Sequence, residues 1–176
     1  STPLYSSAAS DVYKRQMHSF TIMAIVAILV VGLAIWRDFR SILAMLLCMT
    51  SLAIGILWTL GVLAIASLPI TLANFFGIPV LIGVGAASSI HMVHRWQLMQ
   101  KTGEQSYGAA MKAIILPACT TGIGFGALIF ARHRGLESLG WGMAIGSIAC
   151  LLSAIVLLPV VLELLPERIK IRLRAR

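Results

Sequence analysis

The chain has 176 residues, 59% of them hydrophobic and 11% charged, with a net charge of +8 from 14 Lys and Arg against 6 Asp and Glu. A soluble domain carries about 25% charged residues, so a mean hydropathy of +0.95 excludes a soluble globular fold and points to lipid as the solvent. The positive excess falls in short clusters between apolar runs, which is a topology signal and excludes a nucleic-acid partner.

Residues 1–16 (STPLYSSAASDVYKRQ) are Ser-rich and have no apolar core between basic and small residues, so they do not read as a signal peptide. They are expected to be a non-native or disordered leader on a fragment of a longer gene. Five apolar segments follow, at 19–36, 41–64, 72–94, 109–131 and 138–162. At 1.5 Å per residue, segments of about 18–25 residues reach across a hydrocarbon core of about 30 Å. The expected fold is all-α, a polytopic membrane protein with five transmembrane helices. Lys112 is the one charged residue inside these segments. Cys48, Cys119 and Cys150 all fall in apolar runs, without zinc or redox spacing, and read as packing residues.

Basic residues orient the helices. Arg37 and Arg40, then Arg95, Lys101 and Lys112, then the tail 166–176 fall on one side, which the positive-inside rule makes cytoplasmic. The C-terminus is therefore expected inside a bacterial inner membrane, after a transmembrane domain at 17–165. The connector 95–108 carries Trp96, Leu98, Met99 and Tyr107 among polar residues, and predicts an amphipathic helix on the cytoplasmic surface. The basic tail reads as a solvated segment attracted to anionic membrane lipid.

The third segment, TLANFFGIPVLIGVGAASSIHMVHRW, is the least ordinary. Pro79 removes a helical hydrogen bond, and Gly83, Gly85, Ala87, Ser88 and Ser89 leave little side-chain bulk. Such an interruption either permits close packing or opens a transporter helix around a substrate or ion. The fourth segment centres on Thr120 and Thr121, beside Gly122 and Gly126. These hydroxyls either meet the serines in a polar cavity or proton path, or return to carbonyls of their own helix. His91 and His94 share a helical face without a third ligand, so they read as interfacial caps rather than a metal site. In the last helix, Gly142 and Gly146 form a GxxxG face, and Glu137 complements the helix N-terminus. No triad, phosphate loop or carboxylate pair is present, which argues against an enzyme, and nothing in the pattern calls for a cofactor.

IPVLIGVGAASSIHMVHRW, followed by ACTTGIGFGALIFARHRGLESLGWGMAIGSIACLLSAIVLLPVVL, resembles the RND superfamily of exporters, closest to the MMPL branch with its hopanoid-associated and other lipid exporters. The resemblance implies a C-terminal transmembrane half of a twelve-helix, proton-driven exporter of lipids or other hydrophobic compounds. It also implies a partner half that this chain lacks. Many members read GxGxD in this helix, where the Asp relays protons. Here Gly83 and Gly85 match the glycines but Ala87 stands at the Asp position, so the relay carboxylate is expected from the first half. Thr120 and Thr121 match a Thr pair of the family. The missing Asp also motivates a non-transporting lipid sensor of sterol-sensing type. A protein-export accessory subunit is a third reading. Because GxxxG faces also serve contacts between chains, a homo-oligomer stays among the expected partners.

Overall fold

The structure, a computed structural model, describes residues 3–68, 71–102 and 108–164. Helix α1 (Pro3–Phe39) is followed by α2 (Ile42–Ile65), α3 (Leu72–Thr102) and α4 (Gly108–Gly126). A tighter 3-10 turn, Ala127–Phe130, ends α4 before α5 (Arg134–Leu152), which passes through a π-helical turn, Ser153–Leu157, into α6 (Leu158–Leu164). No strand occurs among the described residues. Five stretches are long and apolar enough to cross a membrane: Lys14–Phe39, Ile42–Ile65, Leu72–Lys101, Met111–Phe130 and Arg134–Leu164. This is a multi-pass membrane protein.

The turns follow from local chemistry. Arg40 takes a left-handed conformation (φ 47°) that ends α1, and the Ser41 side chain then caps α2 by accepting from the Ala44 amide. Ser67 takes the same conformation (φ 52°) after α2, and the Leu68 amide reaches back to the Leu63 carbonyl at 3.0 Å. His133 caps α5, its Nδ1 accepting from the Gly135 amide at 3.2 Å, and Glu137 lies in the first turn, where negative charge suits the helix dipole.

Helix α5 is the hub, in contact with α2, α3 and α4. Between helices in lipid there is no hydrophobic driving force, so close van der Waals approach must hold the bundle. Two glycines allow it. A Cβ on Gly55 would lie 2.8 Å from Cys150 Cα, and one on Gly140 would lie 2.7 Å from the Ile129 backbone nitrogen. One buried cluster joins Ile35 and Phe39 of α1 to Cys48, Val93, Trp96 and Leu162. A smaller one joins Leu52, Ile82 and Cys150. Where α5 widens, Ser153 Oγ donates to the Ser51 carbonyl at 2.6 Å, and the two Ser hydroxyls lie 3.1 Å apart.

Helix α3 chooses between the two readings of its Pro79 region and differs from the expectation after Arg95. Helix α3 runs unbroken through Pro79, so the helix is not opened there. It also continues through Arg95 to Thr102, so the first half of the expected surface helix is an extension of α3. Trp96 is buried in the core rather than at headgroup level, because the helical repeat keeps it on the face of Met92 and Val93. Residues 103–107, with Tyr107, and the tail 166–176 lie outside the described residues.

Candidate functional site

Helix α3 divides its small residues between two faces. Gly85 points into the bundle, where a Cβ would stand 2.6 Å from Leu52 Cδ1 and 3.2 Å from Cys150 Sγ. Gly83 and Ala87 point outward, and nothing lies within 4 Å of a Cβ placed on Gly83. His91 follows one turn after Ala87 on the same exposed face. Helix α4 lies alongside, presenting Ala113, Ile114, Pro117 and Thr121. Between the two helices is a cavity of about 230 Å³, lined on the α3 side by Gly83, Ala87, Ser88 and His91.

The four hydroxyls singled out in the sequence separate accordingly. Ser88 and Thr121 line this cavity together. Ser88 Oγ donates to the Val84 carbonyl at 3.0 Å, which leaves its oxygen lone pairs as acceptors. Ser89 is buried on the opposite face and donates to the Gly85 carbonyl at 3.0 Å. Thr120 is exposed, and its hydroxyl lies 3.0 Å from the Leu116 carbonyl and 2.9 Å from that of Pro117. Pro117 has no amide hydrogen, so the Ala113 carbonyl one turn earlier loses its helical donor, while the Thr120 hydroxyl returns to carbonyls of its own turn. Thr120 and Ser89 are therefore not brought to the cavity.

The remaining glycines meet neighbouring helices. A Cβ on Gly122 would lie 2.9 Å from Ser147 Oγ, and one on Gly126 would lie 3.9 Å from Ala144 Cβ. A Cβ on Gly142 would lie 3.4 Å from Asn74 Oδ1 of α3, and one on Gly146 would lie 2.6 Å from Leu81 Cδ2. The GxxxG pair thus receives α3.

Several polar contacts were not legible in the sequence. His94 Nε2 lies 2.9 Å from Asp38 Oδ2 of α1, with the Phe39 ring edge-on to the imidazole at 4.5 Å. Asn74 Nδ2 donates to Ser138 Oγ at 2.9 Å, tying α3 to α5. His91 forms none of these pairs, and the signal that could have placed it was its four-residue spacing from Ala87. Among the described residues no group of three or more His, Cys, Asp or Glu is arranged to hold a metal ion. A second, apolar cavity of about 300 Å³ lies among α2, α3 and α5, lined by residues such as Ile56, Phe75, Ile78 and Met143.

A family model described as MMPL family matches residues 3–175. The chain is 31% identical over 133 residues to the hopanoid transporter HpnN of Rhodopseudomonas palustris, covering 76% of this chain and 15% of that protein. It is 26% identical over 144 residues to the HpnN of Burkholderia multivorans, covering 82% of this chain and 16% of that one. A membrane protein of Methanocaldococcus jannaschii, MJ1562, is 25% identical over 165 residues, covering 90% of this chain and 42% of its own length. The chain thus spans less than a fifth of the two hopanoid transporters. No solved structure shows a significant match.

Proposed function

This chain belongs to the MMPL family, and on that premise we propose that it is a transmembrane half of a proton-driven exporter of lipids or other hydrophobic compounds. The observation that carries the reading is the α3–α4 cavity, where Ser88 and Thr121 supply hydroxyls beside the exposed Gly83 and Ala87. Hopanoid transport by the two HpnN relatives, as their names give it, supports a lipid-like substrate. A methyl group cannot hold a proton, so Ala87 leaves the relay carboxylate to a partner half, which packs on this open face. The orientation that fits the basic loops puts the C-terminal tail in the cytoplasm of a cell whose inner membrane holds the bundle.

The cavity gives each residue a distinct part. Gly83 and Ala87 leave space for a carboxylate side chain from the opposing helix. Ser88 accepts a hydrogen bond while its own O–H donates to the Val84 carbonyl, and Thr121 can donate or accept, as a proton path requires.

The test uses the complete protein, expressed from the uninterrupted coding sequence and reconstituted in vesicles with an imposed proton gradient. Thr121→Val should lower lipid export about fivefold, the worth of one net hydrogen bond of about 1 kcal/mol, while leaving membrane insertion unchanged. Thr120→Val should leave export near wild type. Export that ignores a protonophore would overturn the proton-driven reading. Lipid binding without any export would favour the lipid-sensor reading, which Ala87 also motivates.

A further inference from the structure

We propose that the end of the bundle where α2 stops and α3 and α5 begin holds a phospholipid whose headgroup joins a phosphate to a primary ammonium, as ethanolamine does. The site lies apart from the α3–α4 cavity and needs only a bundle in a bilayer, so it stands without the proton-driven reading. Two cavities adjoin there. The first, of about 480 Å³, is lined by Leu68, Thr71, Arg134, Glu137, Ser138 and Trp141, which brings both signs of charge together with hydroxyls and an indole. The second is the apolar cavity of about 300 Å³ among α2, α3 and α5. Asn74 lines the apolar cavity and Ser138 the charged one, and their hydrogen bond of 2.9 Å joins the two walls. Along α3 the lining passes from Thr71 in the first cavity to Asn74, Phe75 and Ile78 in the second, about 10 Å at 1.5 Å per residue. A charged chamber at the helix ends with an apolar one beneath it has the polarity of a lipid.

The walls carry polar groups that the protein itself leaves open. Arg134 and Glu137 are exposed, and among the described residues neither enters an ion pair. Thr71 Oγ1 and Asn74 Oδ1 are buried atoms with no hydrogen-bond partner among the described residues. An unsatisfied buried polar atom is costly, so each marks a place for a ligand group. Thr71 can donate to a phosphate oxygen beside the Arg134 guanidinium. Asn74 Oδ1 and the Glu137 carboxylate can only accept, so both call for N–H donors. A primary ammonium brings three such donors and a positive charge, whereas a trimethylammonium brings no donor. Trp141 suits the same depth, because an indole settles at headgroup level. The apolar cavity beneath calls for hydrocarbon. The Thr59 hydroxyl there is already committed to the Gly55 carbonyl at 2.8 Å, and Ile56, Leu60, Phe75, Ile78 and Met143 offer only apolar contact. Such a cavity stays dry and takes an apolar guest, here an acyl chain. A soluble phosphoamine would leave it unfilled.

The experiment counts the lipids retained by the complete protein in native mass spectrometry, from micelles doped equally with phosphatidylethanolamine, phosphatidylcholine and phosphatidylglycerol. The ethanolamine lipid should be retained at least about fivefold over either competitor, since choline has no donor and glycerol no cation for Glu137. Glu137→Gln should cut that preference to about twofold or less, and Arg134→Gln should lower retention of all three lipids. Leu60→Trp, which fills the apolar cavity, should lower retention while keeping the headgroup ranking. Glycerophosphoethanolamine, the same headgroup without chains, should not displace the lipid at equal concentration. Displacement would assign the site to a soluble phosphoamine and overturn the lipid. Equal retention of the ethanolamine and choline lipids by wild type overturns the proposal, as does a preference that survives both Glu137→Gln and Arg134→Gln. Should these variants fail to insert, wild type is irradiated with an ethanolamine lipid carrying a photoreactive acyl chain. Adducts at Phe75, Ile78 or Met143 support the site, and adducts confined to other segments overturn it.

Discussion

Gly55→Ala adds one methyl group at the tightest backbone contact between α2 and α5. Its Cβ would lie 2.8 Å from Cys150 Cα and 2.9 Å from Cys150 Sγ, where ordinary contact begins at 3.4 Å. The helices must therefore part by about 0.6 Å at this level. A gap of roughly 0.5–1 Å forfeits a quarter to a half of the attraction of each atom pair it opens. Overpacking of this kind costs about 1–3 kcal/mol, against up to about 1 kcal/mol returned by the better helix propensity of Ala. The net expectation is a loss of up to about 2 kcal/mol, read as a shift in unfolding midpoint in mixed detergent micelles. Gly61→Ala is the internal control, since nothing lies within 4 Å of its Cβ, and it should be neutral or slightly stabilising. The obstacle at Gly55 includes backbone, so Cys150→Ala should not rescue it. At Gly85 the nearest atom is the end of the Leu52 side chain, 2.6 Å away, so Gly85→Ala should be coupled to Leu52→Ala in a double-mutant cycle. Equal stability of Gly55→Ala and Gly61→Ala would refute the reasoning, as would full rescue by Cys150→Ala.

Ser67→Gly should raise stability by about 0.5–1 kcal/mol in the same assay, because Ser67 sits at φ 52°, a conformation that glycine adopts freely and an L side chain does not. Ser153→Ala removes the donor to the Ser51 carbonyl and the partner of the Ser51 hydroxyl. It should cost about 0.6–1.7 kcal/mol, the range measured for interhelical hydrogen bonds in a membrane, and a Ser51→Ala background should shrink the loss.

The spans, their order and the caps at Glu137 were legible because each follows from a run of apolar residues or a single local preference. Side-chain pairing across helices was not. Asp38 and His94 are far apart in the chain, and neither carries a local signal of the other, yet they meet at 2.9 Å. The same holds for Asn74 with Ser138 and for Ser51 with Ser153. The expected surface helix misled for a different reason. Composition dropped in hydropathy after Arg95, but helical propensity and the burial of Trp96 carried α3 onward without a break. In the candidate site, composition identified the hydroxyls but not their faces. Adjacent residues on a helix point about 100° apart, so Ser88 and Ser89 separate, as do Thr120 and Thr121.

The two faces of α3 carry opposite kinds of smallness. At Gly85 the missing side chain is already used, with Leu52 and Cys150 filling the space. At Gly83 and Ala87 the space is unused by this chain, and the exposed residues Phe76, Val80 and His91 extend the same face in both directions. A lipid chain gains little from a groove that holds hydroxyls and an imidazole, because those groups need polar partners when water is excluded. A helix bearing a carboxylate satisfies both demands, since its backbone can approach over Gly83 and Ala87 while its side chain meets Ser88 and Thr121. Ala87, one turn from Gly83, thus keeps the width there that the proposed function requires for an opposing acidic side chain.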